Sequence, residues 1–176
     1  MKVYFIRHGQ SEYNVNRLIN QNPKIKVNLT KLGIRQALLA GEKLSKINFD
    51  VIFSSEFLRT HETAKLIKGS RKTGIILDKR ISEIRLGFEG LPVQIYNAQA
   101  KNDLLNFKLK GKESWMDVKK RVAGFVDFLK GESYDSILVV THEVVVQCAL
   151  SIFGKLSDIE ARKKKIKNCE FFIFEI

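Results

Sequence analysis

The chain has 176 residues, and its 31 Lys and Arg against 19 Asp and Glu leave a formal charge of +12. That length suits one domain, and 44% hydrophobic residues with only two prolines supply a sizeable core and exclude a disordered, collagenous or low-complexity chain. The positive balance attracts nucleic acid, anionic lipid or phosphorylated small molecules, and by itself does not choose among them.

The first apolar run, Val3 to Ile6, stops at Arg7 after four residues. It is too short for a signal-peptide core or a membrane span, and nothing later approaches a span, so no membrane partner is expected. It reads as a buried strand over Lys2 to Ile6, and similar runs recur at Asp50 to Phe53, Gly74 to Leu77, Ser136 to Val140 and Glu170 to Phe174. Helical patterns lie between them. Thr30 can cap a helix carrying Leu32, Ala37, Gly41 and Leu44 on one face. Arg59 to Lys68 continues with Thr63, Ala64 and Ile67, and Trp115 to Leu129 repeats the spacing through Val118, Val122 and Phe125. Alternation of this kind predicts a single α/β domain over residues 1–176, with a mostly parallel central sheet flanked by helices on both faces.

Residues 91–114, at their weakest periodicity from Pro92 to Lys112, read as an excursion outside the sheet. Arg162 to Lys167, five basic residues in six, reads as a solvated connector before the last strand. Cys148 and Cys169 form no short-spaced pair and have no nearby His, so neither a disulfide framework nor a zinc site is signalled, and a reducing cytoplasm fits. Cys148 reads as a small buried hydrophobe, Trp115 as core, and His61 as structural or exposed, because positions two apart on a helix do not share a face.

His8 follows the first strand directly, and His142 follows the strand Ile137 to Val140. In parallel α/β sheets the carboxyl ends of strands are where ligands bind. Arg59 lies near the start of the helix after the second strand and can reach the same edge. Two histidines with Arg7 and Arg59 make a cationic group suited to a phosphate dianion, because guanidinium forks match phosphate oxygens in pairs. Helix N-termini after His8 and His142 would add backbone donors.

Residues 7–14, Arg-His-Gly-Gln-Ser-Glu-Tyr-Asn, resemble the signature of the histidine phosphatase superfamily, in its branch 1, which includes the phosphoglycerate mutases. The resemblance continues in order through Leu29-Thr30 with Gly33, Gln36 and Ala37, Ser54-Ser55 with Arg59, Thr63 and Ala64, Glu83 with Gly87, Glu89 and Gly90, and Thr141-His142. It covers nearly the whole chain and implies a phosphoglycerate mutase-like fold. It also implies His8 as the nucleophile through Nε2, with Arg7, Arg59 and His142 neutralising the transferring phosphoryl group. Glu83 becomes the acid and base at the leaving group, which requires a raised carboxyl pKa. Asn14 matches a substrate-side asparagine. Gln10 can hydrogen-bond substrate or serve loop structure. No cofactor or metal is implied.

The expected activity is that of a histidine acid phosphatase-type phosphomonoesterase acting on phosphorylated small molecules. A mutase is the nearest rival, set back by the little chain after the last strand to form a lid. A phosphohistidine-protein phosphatase is a further rival. A noncatalytic basic module binding phospholigands or nucleic acid is another, though no RNA-binding motif supports the latter. Three departures from the family pattern touch the site. Glu143 stands where glycine is common; pointing into the pocket it would repel phosphate and suggest a weakened enzyme or a cationic substrate group, and it is expected instead in the first helical turn, pointing outward. The Glu83 loop is one residue short, and Gly111-Lys112-Glu113-Ser114 carries one extra. The resemblance places Lys101, Lys108, Lys110 and Lys112 near the pocket mouth, where they would select anionic phosphoesters if they face it; otherwise they are surface charge that serves solubility. The sequence leaves the substrate and the oligomeric state open.

Overall fold

A computed structural model describes residues 1–176. Five strands form one sheet: β1 (Lys2–Arg7), β2 (Val51–Ser54), β3 (Gly74–Leu77), β4 (Ser136–Thr141) and β5 (Phe171–Glu175), in the order β3-β2-β4-β1-β5. The first four are parallel, and β5 closes one edge antiparallel to β1.

The three central strands are apolar throughout because both of their faces are covered, as parallel sheets require. Alternate residues divide between two cores. Val3 and Phe5, Val51 and Phe53, and Ile137 and Val139 join the larger one, with Val118, Val122, Phe125 and Leu129 of helix α5 (Trp115–Lys130) and Val145, Cys148 and Ala149 of α6 (Glu143–Ile152). Tyr4 and Ile6, Ile52, and Leu138 and Val140 join the smaller one, with Ala40 and Leu44 against Ala64 and Ile67, contributed mainly by α2 (Lys31–Lys43) and α3 (Leu58–Lys68). Trp115 and Cys148 are fully buried, as expected of core residues.

Local capping sets where the helices start. Thr30 accepts a hydrogen bond from the Gly33 amide to begin α2, and Ser114 and Asp117 form a reciprocal capping box that begins α5. The start of α2 lies hard against the loop after β1. A Cβ on Gly33 would sit 2.0 Å from the Gln10 carbonyl oxygen, and one on Gly9 would sit 2.5 Å from that of Gly33. Only glycine allows this backbone-to-backbone contact, which fixes the path of the chain beyond His8. The remaining helices are α1 (Glu12–Asn16), α4 (Val93–Ala100) and α7 (Asp158–Lys163). No helix is long and apolar enough to cross a membrane.

Candidate active site

Register in the sheet brings the two histidines together. Arg7 of β1 pairs with Thr141 of β4, and the His8 amide donates to the Thr141 carbonyl at 2.9 Å. The next residue of each strand is therefore a histidine at the same edge, and the two rings stand 5.4 Å apart. Both are buried.

The His8 ring is held in one tautomer from both sides. Nδ1 lies 2.7 Å from the Gly9 carbonyl, which can only accept, so Nδ1 carries the proton. Arg59 Nε, which can only donate, lies 3.0 Å from Nε2, so that nitrogen keeps its lone pair. Burial, reinforced by Arg59 and Arg7, holds the His8 pKa well below the usual histidine value. The ring is a neutral imidazole with Nε2 directed at the arginine.

Arg59 organises the centre. It is the second residue of α3, is buried, and lies over the Phe57 ring at 4.5 Å. One terminal nitrogen donates to Asn20 Oδ1, and the other lies 3.3 Å from the Asn20 carbonyl and 3.0 Å from His142 Nδ1. Burial lowers its pKa to about 10, so it stays charged at neutral pH.

That donor also fixes His142. With Nδ1 accepting from Arg59, the ring proton sits on Nε2 and is donated to Ser55 Oγ at 2.7 Å. Ser55 in turn donates to Thr60 Oγ1 at 2.7 Å, whose proton goes to the Phe57 carbonyl, also at 2.7 Å. Every group in this buried chain is satisfied. His142 is neutral as well, through burial and then Arg59 and His8.

Glu83 follows the 3₁₀ turn Lys79–Ile81. Thr141 Oγ1 anchors this turn by donating to the Ile81 carbonyl, while Arg121 of α5 donates to the carbonyls of Arg80 and Glu83. Glu113, buried in the segment that departs from the family pattern, accepts from Arg121 and from the Arg85 amide and so fastens the same loop. The Glu83 carboxyl reaches within 3.5 Å of His142 Nδ1 and 3.6 Å of Arg59. Burial pushes its pKa up, against the pull of Arg59.

These groups line one cavity of about 440 Å³, together with Arg7 and Asn14. Asn14 Oδ1 accepts from the Ser11 amide and from Asn168, so its orientation is set. Gln10 is turned away. Its Oε1 accepts from Thr30 at the cap of α2, so of its two expected roles the structure supports the one in the loop. The helix after His8, α1, begins only at Glu12, whereas α6 starts immediately after His142. Only the second strand end therefore leads straight into a helix.

Three other expectations change. Glu143 does lie in the first turn of α6, but its carboxylate turns to Arg7 at 3.2 Å and accepts from the Ile166 amide, because an adjacent guanidinium offers more than solvent does. The excursion lysines do not face the cavity. Lys108 is paired with Asp117 at 2.7 Å, Lys101, Lys110 and Lys112 are exposed, and the excursion contributes Val93, Tyr96 and Asn97 of α4 instead. Conversely, Arg162, Lys163, Lys164 and Lys165, expected in a solvated connector, form a wall of the cavity.

Sequence reasoning also missed Asn20. A lone asparagine in an irregular stretch carries no signal until folding sets it against Arg59. Glu89 holds the Asn20 side chain and the amides of Gln21 and Asn22, which gives that acidic residue a structural task.

Comparison with known proteins shows the family. The family model described as histidine phosphatase superfamily (branch 1) matches residues 3–176. The chain is 31% identical over 149 residues to "Putative phosphoserine phosphatase 2" of Hydrogenobacter thermophilus, covering 80% of this chain and 72% of that one. It is 28% identical over 178 residues to "Probable phosphoglycerate mutase GpmB" of Proteus mirabilis, covering 96% and 82%. The crystal structure of phosphoserine phosphatase from Entamoeba histolytica in complex with 3-phosphoglyceric acid superposes with a TM-score of 0.83 at 26% identity, covering 99% of this chain and 90% of that one. With its five-stranded sheet, its paired histidines and a family match over nearly its full length, this chain belongs to branch 1 of the histidine phosphatase superfamily, as an enzyme of the phosphatase and phosphotransferase kind.

Proposed function

We propose that the chain hydrolyses small phosphomonoesters through a phosphohistidine on His8. The observation that carries this reading is the double constraint on the His8 ring, which leaves a neutral Nε2 lone pair among the groups that can bind a phosphate dianion. A phosphoryl group entering the cavity displaces Arg59 Nε from that lone pair and takes its donors, while Arg7 adds a second guanidinium. Nε2 then attacks phosphorus and the ester P–O bond breaks. Glu83, whose carboxyl pKa burial pushes up, gives its proton to the departing oxygen. In the second half Glu83 removes a proton from water, the oxygen of that water attacks phosphorus, and the N–P bond breaks to release inorganic phosphate. Arg7, Arg59 and His142 offset the negative charge on the phosphoryl oxygens in both halves, and the scheme draws on no cofactor and no metal. Asn14, at the cavity wall, is suited to hydrogen-bond the substrate.

Water as the acceptor makes this a phosphatase of the histidine acid phosphatase type rather than a mutase. The two unpaired thiols, Cys148 and Cys169, fit a reducing compartment such as the cytoplasm. The test is turnover of p-nitrophenyl phosphate in EDTA by wild type and His8→Ala. Phosphate release and an acid-labile, base-stable phosphoenzyme are expected from wild type, and neither from the variant. Label recovered on a serine or on His61 would refute the assignment, and transfer to a second organic hydroxyl in place of phosphate release would favour the mutase.

A further inference from the structure

We propose that Arg162–Lys165 forms a second anion site, which binds a negatively charged group on the part of the substrate that leaves with the oxygen. This inference rests on the phosphomonoesterase reading and concerns a different wall of the same cavity.

The first ground is the distribution of paired charge. Beside His8, Arg7 already faces the Glu143 carboxylate at 3.2 Å, and the donors of Arg59 are taken up by His8, Asn20 and His142. The four cations of the segment face none within ion-pair distance. Most of the cationic side chains lining the cavity without a carboxylate partner therefore belong to this segment. Arg162 Nε donates to the Leu104 carbonyl and Lys164 Nζ lies over the Phe172 ring, while Lys163 and Lys165 are exposed; like charges gathered along one cavity wall repel one another, and an anion bound among them relieves that repulsion.

The second ground is that the segment is built into the site. The Lys164 amide donates to the Glu160 and Ala161 carbonyls at the end of α7, and its carbonyl accepts from Gln147 Nε2 at 2.7 Å. Ile166 is gripped at both backbone groups, its amide by Glu143 and its carbonyl by Arg7. Asn168 then donates to the carbonyl of His8 itself at 2.9 Å. A solvated connector needs none of these contacts. Here they hold the basic residues in fixed relation to the His8 strand end, so little ordering remains to be done when an anion binds.

The third ground is the rest of the lining. Leu18, Ile19, Val93 and Tyr96 lie along the same cavity and supply apolar contact for a short carbon skeleton. Gln147 Oε1 is buried there without a partner, an acceptor suited to a substrate hydroxyl. A volume of about 440 Å³ takes a small molecule with two charged ends, and its concave shape suits that better than a nucleic-acid strand.

The experiment uses matched substrates. 3-Phosphoglycerate and glycerol 1-phosphate differ by a carboxylate in place of a hydroxymethyl group; fructose 1,6-bisphosphate and fructose 6-phosphate differ by a second phosphate. At low salt kcat/KM should favour the more anionic member of at least one pair by roughly tenfold, and the pair that shows it identifies the anion. The double variant Lys163→Gln/Lys165→Gln changes two exposed side chains. It should shrink that ratio severalfold, and 0.5 M NaCl should do the same to wild type by screening. A wild-type ratio near one in both pairs, or a ratio that neither the variant nor salt alters, overturns the proposal. If no phosphomonoester, p-nitrophenyl phosphate included, is hydrolysed, the phosphatase reading fails. The same ratios read as dissociation constants by calorimetry then decide the anion site separately.

Discussion

Acidifying the protein should destabilise it through the two histidines, by an amount the structure sets. His8 and His142 are buried and held neutral in the fold, their pKa values depressed by burial and by Arg59. In the unfolded chain each titrates near 6.5. A depressed native pKa gives stability that is fully present above the unfolded value and is lost as pH falls toward the native one. Between pH 7.5 and 5.5 the unfolded state takes up protons that the native state refuses, at about 1.4 kcal/mol per histidine, or about 2.7 kcal/mol for the pair. Glu83 acts in the opposite sense, since its raised pKa favours the protonated fold as pH falls. The clean measurement is therefore a difference of differences. Urea unfolding of wild type and His8→Ala is followed at both pH values, in buffers free of phosphate because bound oxyanion would shift the curves by mass action. The cavity left by the substitution costs the same at both pH values and cancels, as do Glu83 and His61. Wild type should lose about 1.4 kcal/mol more than His8→Ala across the interval. Equal losses would mean that His8 is not a buried neutral imidazole, and the nucleophile assignment would lose its electrostatic basis.

Glu83→Gln should cut kcat on alkyl phosphates by on the order of a hundredfold or more and kcat on p-nitrophenyl phosphate far less, since nitrophenolate departs without a proton; equal losses on both would remove Glu83 as the acid. In wild type the basic limb of the alkyl phosphate rate profile should lie above the ordinary carboxylate range and disappear in that variant. Asn20→Ala strips an acceptor from a buried guanidinium, which should cost about 1–3 kcal/mol of stability in thermal or urea unfolding and lower kcat through misplacement of Arg59. Gly33→Ala drives a Cβ to 2.0 Å from the Gln10 carbonyl, and should destabilise the fold by about 1–3 kcal/mol and slow turnover by displacing the loop after His8; wild-type activity and melting would show that the contact relaxes freely.

The strands and main helices were legible in the sequence because their signals are local. The run from Val3 to Ile6 is apolar at every position because both faces of β1 are covered, and Thr30 announces a helix start by side-chain chemistry that reaches only three residues. His8, Arg59 and His142 were legible as candidates because each follows the end of a strand. Their gathering at one edge was legible from the matching strand ends, but the contacts among them were not, since those depend on β1 and β4 lying side by side although their residues are more than a hundred apart in the chain. Side-chain direction was beyond the sequence for the same reason. An outward Glu143 follows from the helix dipole and a pocket-facing Lys108 from the family resemblance, and each side chain is instead directed by an opposite charge brought near by folding, Arg7 in one case and Asp117 in the other. The run Arg162–Lys165 reads as a solvated stretch in isolation, because a charged run has no partner until tertiary structure supplies one. Hydrogen bonds from Gln147, Arg7 and Asn168, and to Glu143, turn that run into a wall of the cavity. Sequence by itself determined which residue types stand at the sheet edge. Only the order of the strands, and the contacts that order makes possible, decided which of them share a cavity and which charges remain there uncompensated.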